Sequence, residues 1–317
     1  PLRLGRSAAT AGLLLLAGLV GLGLAEAAVR LFLPAFDPSG QFRFDHPVAS
    51  GVVLGLPGSV ARQRKNTGDY DVAIRINRHG LRDDLDVASA GPADLVVLGD
   101  SFAWGWGVEA NDRFSDRLRG LTGQRVFNVA TPTDLAGYGA LLDYVEALGA
   151  RPGGLVLAIC MENDLLSGAA PASEPGSVDS DSGLGLRDLR EALERSSAAY
   201  LLLTSVVHQT PWLRDVAVRL GLVTPNLRGI SRSPDGEAAI AASVDAVAGL
   251  ARGRPMLVVL IPSRALWVGE ERDREDRLHR RLLAALQARG LDVLDLRPLF
   301  EAGGQPLSYH FANDGHW

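Results

Sequence analysis

Ser101, Asn163 and the pair Asp314 and His316 are the residues of this chain whose types and settings could do nucleophilic chemistry. Ser101 stands in Gly99-Asp100-Ser101-Phe102, directly after the apolar run Leu95-Val96-Val97-Leu98. A serine at a strand-to-helix turn exposes its hydroxyl above the sheet edge and sets its N–H at a helix N-terminus, where negative charge is stabilised. Asn163, in Met161-Glu162-Asn163-Asp164, follows a second apolar run. A side-chain amide there can donate to an oxyanion, a bond whose loss typically costs about 10²–10³ in rate. In the tail Asn313-Asp314-Gly315-His316-Trp317, an Asp close before a His can accept the Nδ1 proton and leave Nε2 free to deprotonate a serine. Each feature alone has an ordinary explanation as an N-cap, a helix opening or a solvated surface residue. Three together, each following a strand in an α/β pattern, are hard to explain by capping.

The elements that must hold these residues can be read from the pattern of short apolar runs. Strands are expected at 94–98, 125–129, 155–160, 256–261 and 292–296, apolar along most of their length, as suits strands covered on both faces of a parallel sheet. Helical patterns lie between them at 112–121, 135–148, 236–251 and 270–289, the last acidic at its start and closing on Arg289-Gly290. The sum is a doubly wound, mostly parallel α/β sheet of about five strands, whose functional groups gather at the carboxyl ends of the strands. Residues 34–90 form a lead-in with one alternating strand at 70–77 and a turn at Arg78-His79-Gly80. They are expected to pack on the main domain, because their apolar content is thin for a separate core. Residues 166–235 interrupt the rhythm with a loop at 168–185 and helical stretches at 186–207 and 212–220, read equally as a lid or substrate surface and as a packing appendage.

At the N-terminus, Arg3 and Arg6 precede an uncharged stretch from Ser7 to Ala25 centred on Leu13 to Leu16, and apolar residues continue from 27 to 33. A helix needs about 20 mostly apolar residues to cross a bilayer, and this one qualifies. Basic residues on the short side keep that side cytoplasmic. A retained single-pass anchor is the favoured reading, and a signal peptide cleaved near Ala25-Glu26-Ala27 is the alternative; both put the rest of the chain outside the cytoplasm. The organisation is thus an anchor or signal at 1–33, the lead-in at 34–90 and the main domain at 91–317 with its insertion. The sequence begins without Met and stops just after His316, and both ends are expected to be clipped.

Composition removes several classes of function. A formal net charge of -5 gives no basic footprint, so nucleic acid is not an expected partner. Cys160 is the only cysteine, which leaves no disulfide and no CxxC motif. His46, His79, His208, His279 and His310 show no metal-ligand spacing and read as structural or solvated, and no cofactor or metal is expected. Gly105 and Gly107 are not a dinucleotide loop, because Ser101 holds the helix opening such a loop would need. Asp100 reads as a helix cap, while Trp104 and Trp106 read first as core and second as a pocket wall.

Taken together, Gly99-Asp100-Ser101-Phe102, Glu162-Asn163-Asp164 and Asp314-Gly315-His316 resemble the nucleophile, Asn and acid/base blocks of the SGNH/GDSL hydrolase superfamily. The resemblance covers roughly residues 70–317 and includes Asn77-Arg78-His79-Gly80-Leu81-Arg82, similar to a stretch in bacterial membrane-anchored members. It implies a flavodoxin-like SGNH fold and a serine esterase acting on O-acyl esters, acetyl foremost, of an envelope or exported carbohydrate. An O-acyltransferase using the same triad, or a silent glycan- or partner-binding envelope protein, are the alternatives. In this reading Ser101 is the nucleophile, His316 the base and Asp314 the orienting acid, with Asn313 the fallback. The oxyanion hole comprises the Ser101 N–H, Asn163 and a loop N–H from Ala130 or Thr133. Met161 and Glu162 replace residues usual in the Asn block, and the loop after Asn128 lacks the usual Gly. The Glu162 carboxylate, beside the oxyanion Asn, favours the silent alternative.

Overall fold

A computed structural model describes residues 2–48, 51–166, 186–223, 233–234 and 236–317. The expected loop at 168–185 lies outside the described residues. The chain divides into two compact units, one formed by described residues 2–41, 65–68 and 186–223 and the other by the rest.

The larger unit is built on five parallel strands, and among the described residues no antiparallel strand joins that sheet. Two antiparallel hairpins precede it: β1 (Phe44–Pro47) with β2 (Val53–Gly55), and β3 (Val60–Arg64) with β4 (Asp71–Arg75). The sheet comprises β5 (Leu95–Leu98), β6 (Val126–Asn128), β7 (Gly154–Cys160), β8 (Met256–Ile261) and β9 (Asp292–Asp295), in the spatial order β6-β5-β7-β8-β9. Numbered within the sheet, the order is 2-1-3-4-5, and it reverses between its first and third strands. Crevices for ligands open at the carboxyl ends of strands flanking such a reversal. Ser101 follows β5 and Asn163 follows β7, so both stand at that point.

Each face of the sheet has its own cover. Val96, Leu98, Leu155, Leu157, Val258 and Leu260 pack under α4 (Leu135–Ala147), α8 (Glu237–Ala251) and α9 (Arg272–Ala288), whose apolar residues repeat at helical spacing. Val97, Val126, Val156 and Ala158 instead meet α2 (Ser101–Trp104), α3 (Phe114–Thr122) and the buried face of β4, Val72 and Ile74. The lead-in therefore completes the core with strands where a doubly wound sheet would use helices alone. A short α10 (Arg297–Ala302) follows β9.

The smaller unit contains α1 (Leu2–Phe32), α5 (Leu186–Ser196), α6 (Ala198–Gln209) and α7 (Pro211–Arg219). Within α1, Gly12–Phe32 is long and apolar enough to cross a membrane. The helical stretch expected from 186 to 207 is broken at Ser197, whose Oγ accepts from Tyr200 N–H and caps α6.

Candidate active site

Gly99 lets the chain turn sharply out of β5. Its φ is +154°, and a Cβ there would lie 2.7 Å from Ala103 Cβ and 3.0 Å from Ala158 Cβ, so only glycine lets α2 sit against β7. Asp100 then caps α2, its Oδ1 accepting from Phe102 N–H at 2.9 Å, as its position before the helix leads one to expect. Ser101 opens the helix with its hydroxyl half-buried.

The far end of α2 is held from the lead-in. Arg82, 2% exposed, donates Nη1 to Gly105 O at 2.5 Å and Nη2 to Val108 O at 2.6 Å, with its guanidinium 4.7 Å from the Trp104 ring centroid. Asn128, ending β6, donates Nδ2 to Ala103 O at 2.8 Å. These bonds explain the Asn77-to-Arg82 stretch in physical terms. Asn77 Oδ1 accepts from His79 and Leu81 N–H, closing a turn through Gly80 at φ +78°, and that turn delivers Arg82 to the helix end. Burial, followed by neighbouring Arg113, pulls the Arg82 guanidinium down to about 9.

The tail returns to Ser101. His316 Nε2 lies 2.8 Å from Ser101 Oγ, and His316 Nδ1 lies 2.5 Å from Asp314 Oδ1. The second oxygen of Asp314 accepts from the Tyr70 hydroxyl at 3.0 Å, and Tyr70 in turn accepts from Trp106 Nε1 at 2.7 Å. Trp106 also stacks on the imidazole, with ring centroids 5.1 Å apart and planes 20° from parallel, while Phe102 flanks it at 4.9 Å. Burial and the Asp314 carboxylate push the Tyr70 phenol far above its usual range, which keeps it a donor. Gly315 admits the Arg264 guanidinium, which a Cβ would meet at 2.6 Å. A cluster of three or more metal-ligating side chains is absent among the described residues.

No protein-family model matches this sequence, and no curated protein matches it. Its chemistry has to be read from the side chains themselves.

Of the residues singled out from sequence, Ser101, His316 and Asp314 stand in one hydrogen-bonded chain. Asn313 does not join it and donates to Asp69 Oδ1 at 3.2 Å. Asn163 is exposed in the turn after β7 and makes no side-chain hydrogen bond among the described residues. Ala130 cannot offer its N–H, because Asn128 Oδ1 takes it at 3.0 Å; Thr133, half-buried ahead of α4, is the loop donor left. Glu162 is neutralised by Arg264, which donates Nε at 2.9 Å and Nη2 at 3.0 Å to its two oxygens. That removes the electrostatic objection its position raised. Trp104 is core, against Phe42 and Phe44, whereas Trp106 belongs to the site. His310 is buried beside Phe300 and Trp267, and burial draws it down to about 4. Tyr70 was the missed residue. Alternation placed it on the face shared with Val72 and Ile74, but nothing local says that Asp314 faces it.

Beneath the nucleophile lie two further carboxyls. Asp164 Oδ2 accepts from Tyr138 OH and Cys160 N–H, both at 2.7 Å, while Asp164 Oδ1 and Asp100 Oδ2 are buried without a partner. Burial pushes both carboxyls up, Asp100 to about 6, and the Asp100 charge raises Asp164 further.

Two tests follow from this geometry. Arg82→Lys has one ammonium for carbonyls on both sides of a fork, and it is expected to cost about 1–3 kcal/mol for each carbonyl left unpaired, read by chemical denaturation of the full chain. For Asp100, the folded protein holds its proton to higher pH than the unfolded chain, whose carboxyl titrates near 3.8. Its stabilising contribution is therefore complete below that pH and is lost as pH rises through about 6. Wild type should lose ground to Asp100→Asn across this window in paired denaturation curves; His310 tilts both curves the other way and cancels in the difference.

Proposed function

We propose that the chain is a serine esterase of the SGNH/GDSL type, acting on O-acyl esters, acetyl foremost, of an envelope or exported carbohydrate. The observation that carries this reading is the hydrogen-bonded chain from Ser101 through His316 to Asp314 and Tyr70 at the carboxyl edge of a parallel sheet. The sheet order 2-1-3-4-5 is the flavodoxin-like order and supports the family's fold. In the mechanism, Ser101 Oγ attacks the ester carbonyl as His316 Nε2 takes its proton, and Asp314 stabilises the imidazolium through Nδ1–H. The Ser101 N–H, Asn163 and Thr133 serve the oxyanion, and the leaving alcohol recovers the proton from His316. Water then attacks the acyl-enzyme. A sugar hydroxyl in place of water gives the transferase, with every residue in the same role. The extracytoplasmic address rests on the apolar stretch Gly12–Phe32 of α1 and on Arg3 and Arg6 ahead of that stretch.

Acetyl release from p-nitrophenyl acetate by the full chain in detergent is the test, with a fluorophosphonate to label Ser101. Ser101→Ala and His316→Ala are each expected to lose about 10³-fold or more in kcat. Tyr70→Phe removes a hydrogen bond to a charged group and is expected to cost about 10–100-fold in kcat, with KM little changed. Turnover or labelling equal in wild type and Ser101→Ala would remove the assignment and leave a binding protein.

A further inference from the structure

The anchor and the insertion belong to one compact unit, and one turn of α1 joins them. Glu26 Oε2 accepts from Ser197 Oγ at 2.8 Å and Ala199 N–H at 3.0 Å; its Oε1 accepts from Ala198 N–H at 2.9 Å and Arg30 Nε at 2.7 Å. Arg30 Nη2 donates to Ser196 O, the end of α5, at 2.7 Å. Together they fix the α5–α6 junction to residues 26–30 of the helix that can cross a membrane.

The depth of that junction follows from the sequence. The uncharged stretch from Ser7 to Ala25 is 19 residues, about 28 Å of helix against a hydrocarbon core of about 30 Å. If the uncharged stretch is the part that crosses, Glu26 is where α1 leaves the hydrocarbon, and a carboxylate at that depth needs the donors it has been given. The first turn of α6 starts at the membrane surface.

From that point α6 and α7 expose apolar side chains that no protein segment covers among the described residues. Leu203 and Val206 stand out on α6; Trp212 and Val216 on α7 and Leu220 at its C-cap recur at four-residue spacing, and Leu222 follows. Trp212 and Leu220 are 66% and 67% exposed, as bare as the leucines of the span itself. Arg214 and Arg219 lie on the same short helix. A tryptophan, an apolar stripe and arginines on a helix tied to the exit point of a span are what an interfacial element presents to a bilayer.

We propose that α6 and α7 form an interfacial hairpin that lies on the phospholipid bilayer beside α1, with Trp212, Val216 and Leu220 seated among headgroups and upper acyl chains. The proposal goes beyond the esterase reading and does not depend on it. The insertion then holds the anchored chain at a fixed level on the membrane, a different task from covering a substrate.

The test uses the full chain in nanodiscs of phosphatidylcholine and phosphatidylglycerol, with an environment-sensitive label on Trp212→Cys, Val216→Cys or Leu220→Cys; the native Cys160 is buried. Brominated lipid is expected to quench each label about twofold or more, while an aqueous quencher has little effect. In unlabelled protein, Trp212→Phe is expected to remove a lipid-quenchable part of the tryptophan emission, a change too conservative to threaten folding. Labels open to the aqueous quencher and untouched by lipid would overturn the proposal. Labels shielded from both would also overturn it, since a protein partner or a second copy would then cover the stripe.

Discussion

The contact between His316 Nε2 and Ser101 Oγ joins residues 215 apart in sequence, and it exists only because α2 is immobilised at both ends. A four-residue helix has no stability of its own, since its first turn costs more order than its few hydrogen bonds return. Here Asp100 satisfies the N-terminal donors, and Arg82 and Asn128 take the carbonyls at the other end. Gly99 removes the Cβ that would lift the helix off β7. The serine is held by side chains from three separated stretches of chain.

The imidazole is fixed by a second set of constraints. Trp106 closes one flank and reaches round through Tyr70 to the oxygen of Asp314 that His316 does not use. Both oxygens of the acid are thereby engaged, which fixes the plane of the carboxylate as well as its position. Since Trp106 follows α2 by only two residues, the same segment sets the nucleophile and the orientation of its base.

The sheet and the residues at its edge could be read from the sequence because their signals are local. Continuous apolar runs at 256–261 and 155–160 coincide with β8 and β7 almost to the residue, and Ser101 and His316 stand in short blocks that carry their own chemistry. The lead-in was read less completely: the alternation at 70–77 yielded β4, whereas β1 to β3 are too short to show a period and acquire their order by pairing. Arg82 and Tyr70 could be read as residues but not as roles, because their partners lie 23 and 244 positions away. Ala130 shows the reverse limit. A loop N–H looks available in sequence, and only the folded chain reveals that Asn128 has taken it.

Glu26 also bears on what removal of the N-terminal helix would do to the fold. It is the middle residue of Ala25-Glu26-Ala27, the small-residue stretch, and in the folded unit its carboxylate accepts from the Ala198 and Ala199 N–H groups that open α6. Cutting after Ala27 would take that carboxylate away with the leader, leaving the first N–H groups of α6 and Arg30 without the acceptor it supplies. The small-residue stretch and the tie to α6 thus fall on one residue. A peptidase takes its substrate extended, so the helical turn whose Glu26 is engaged by α6 would be a poor target.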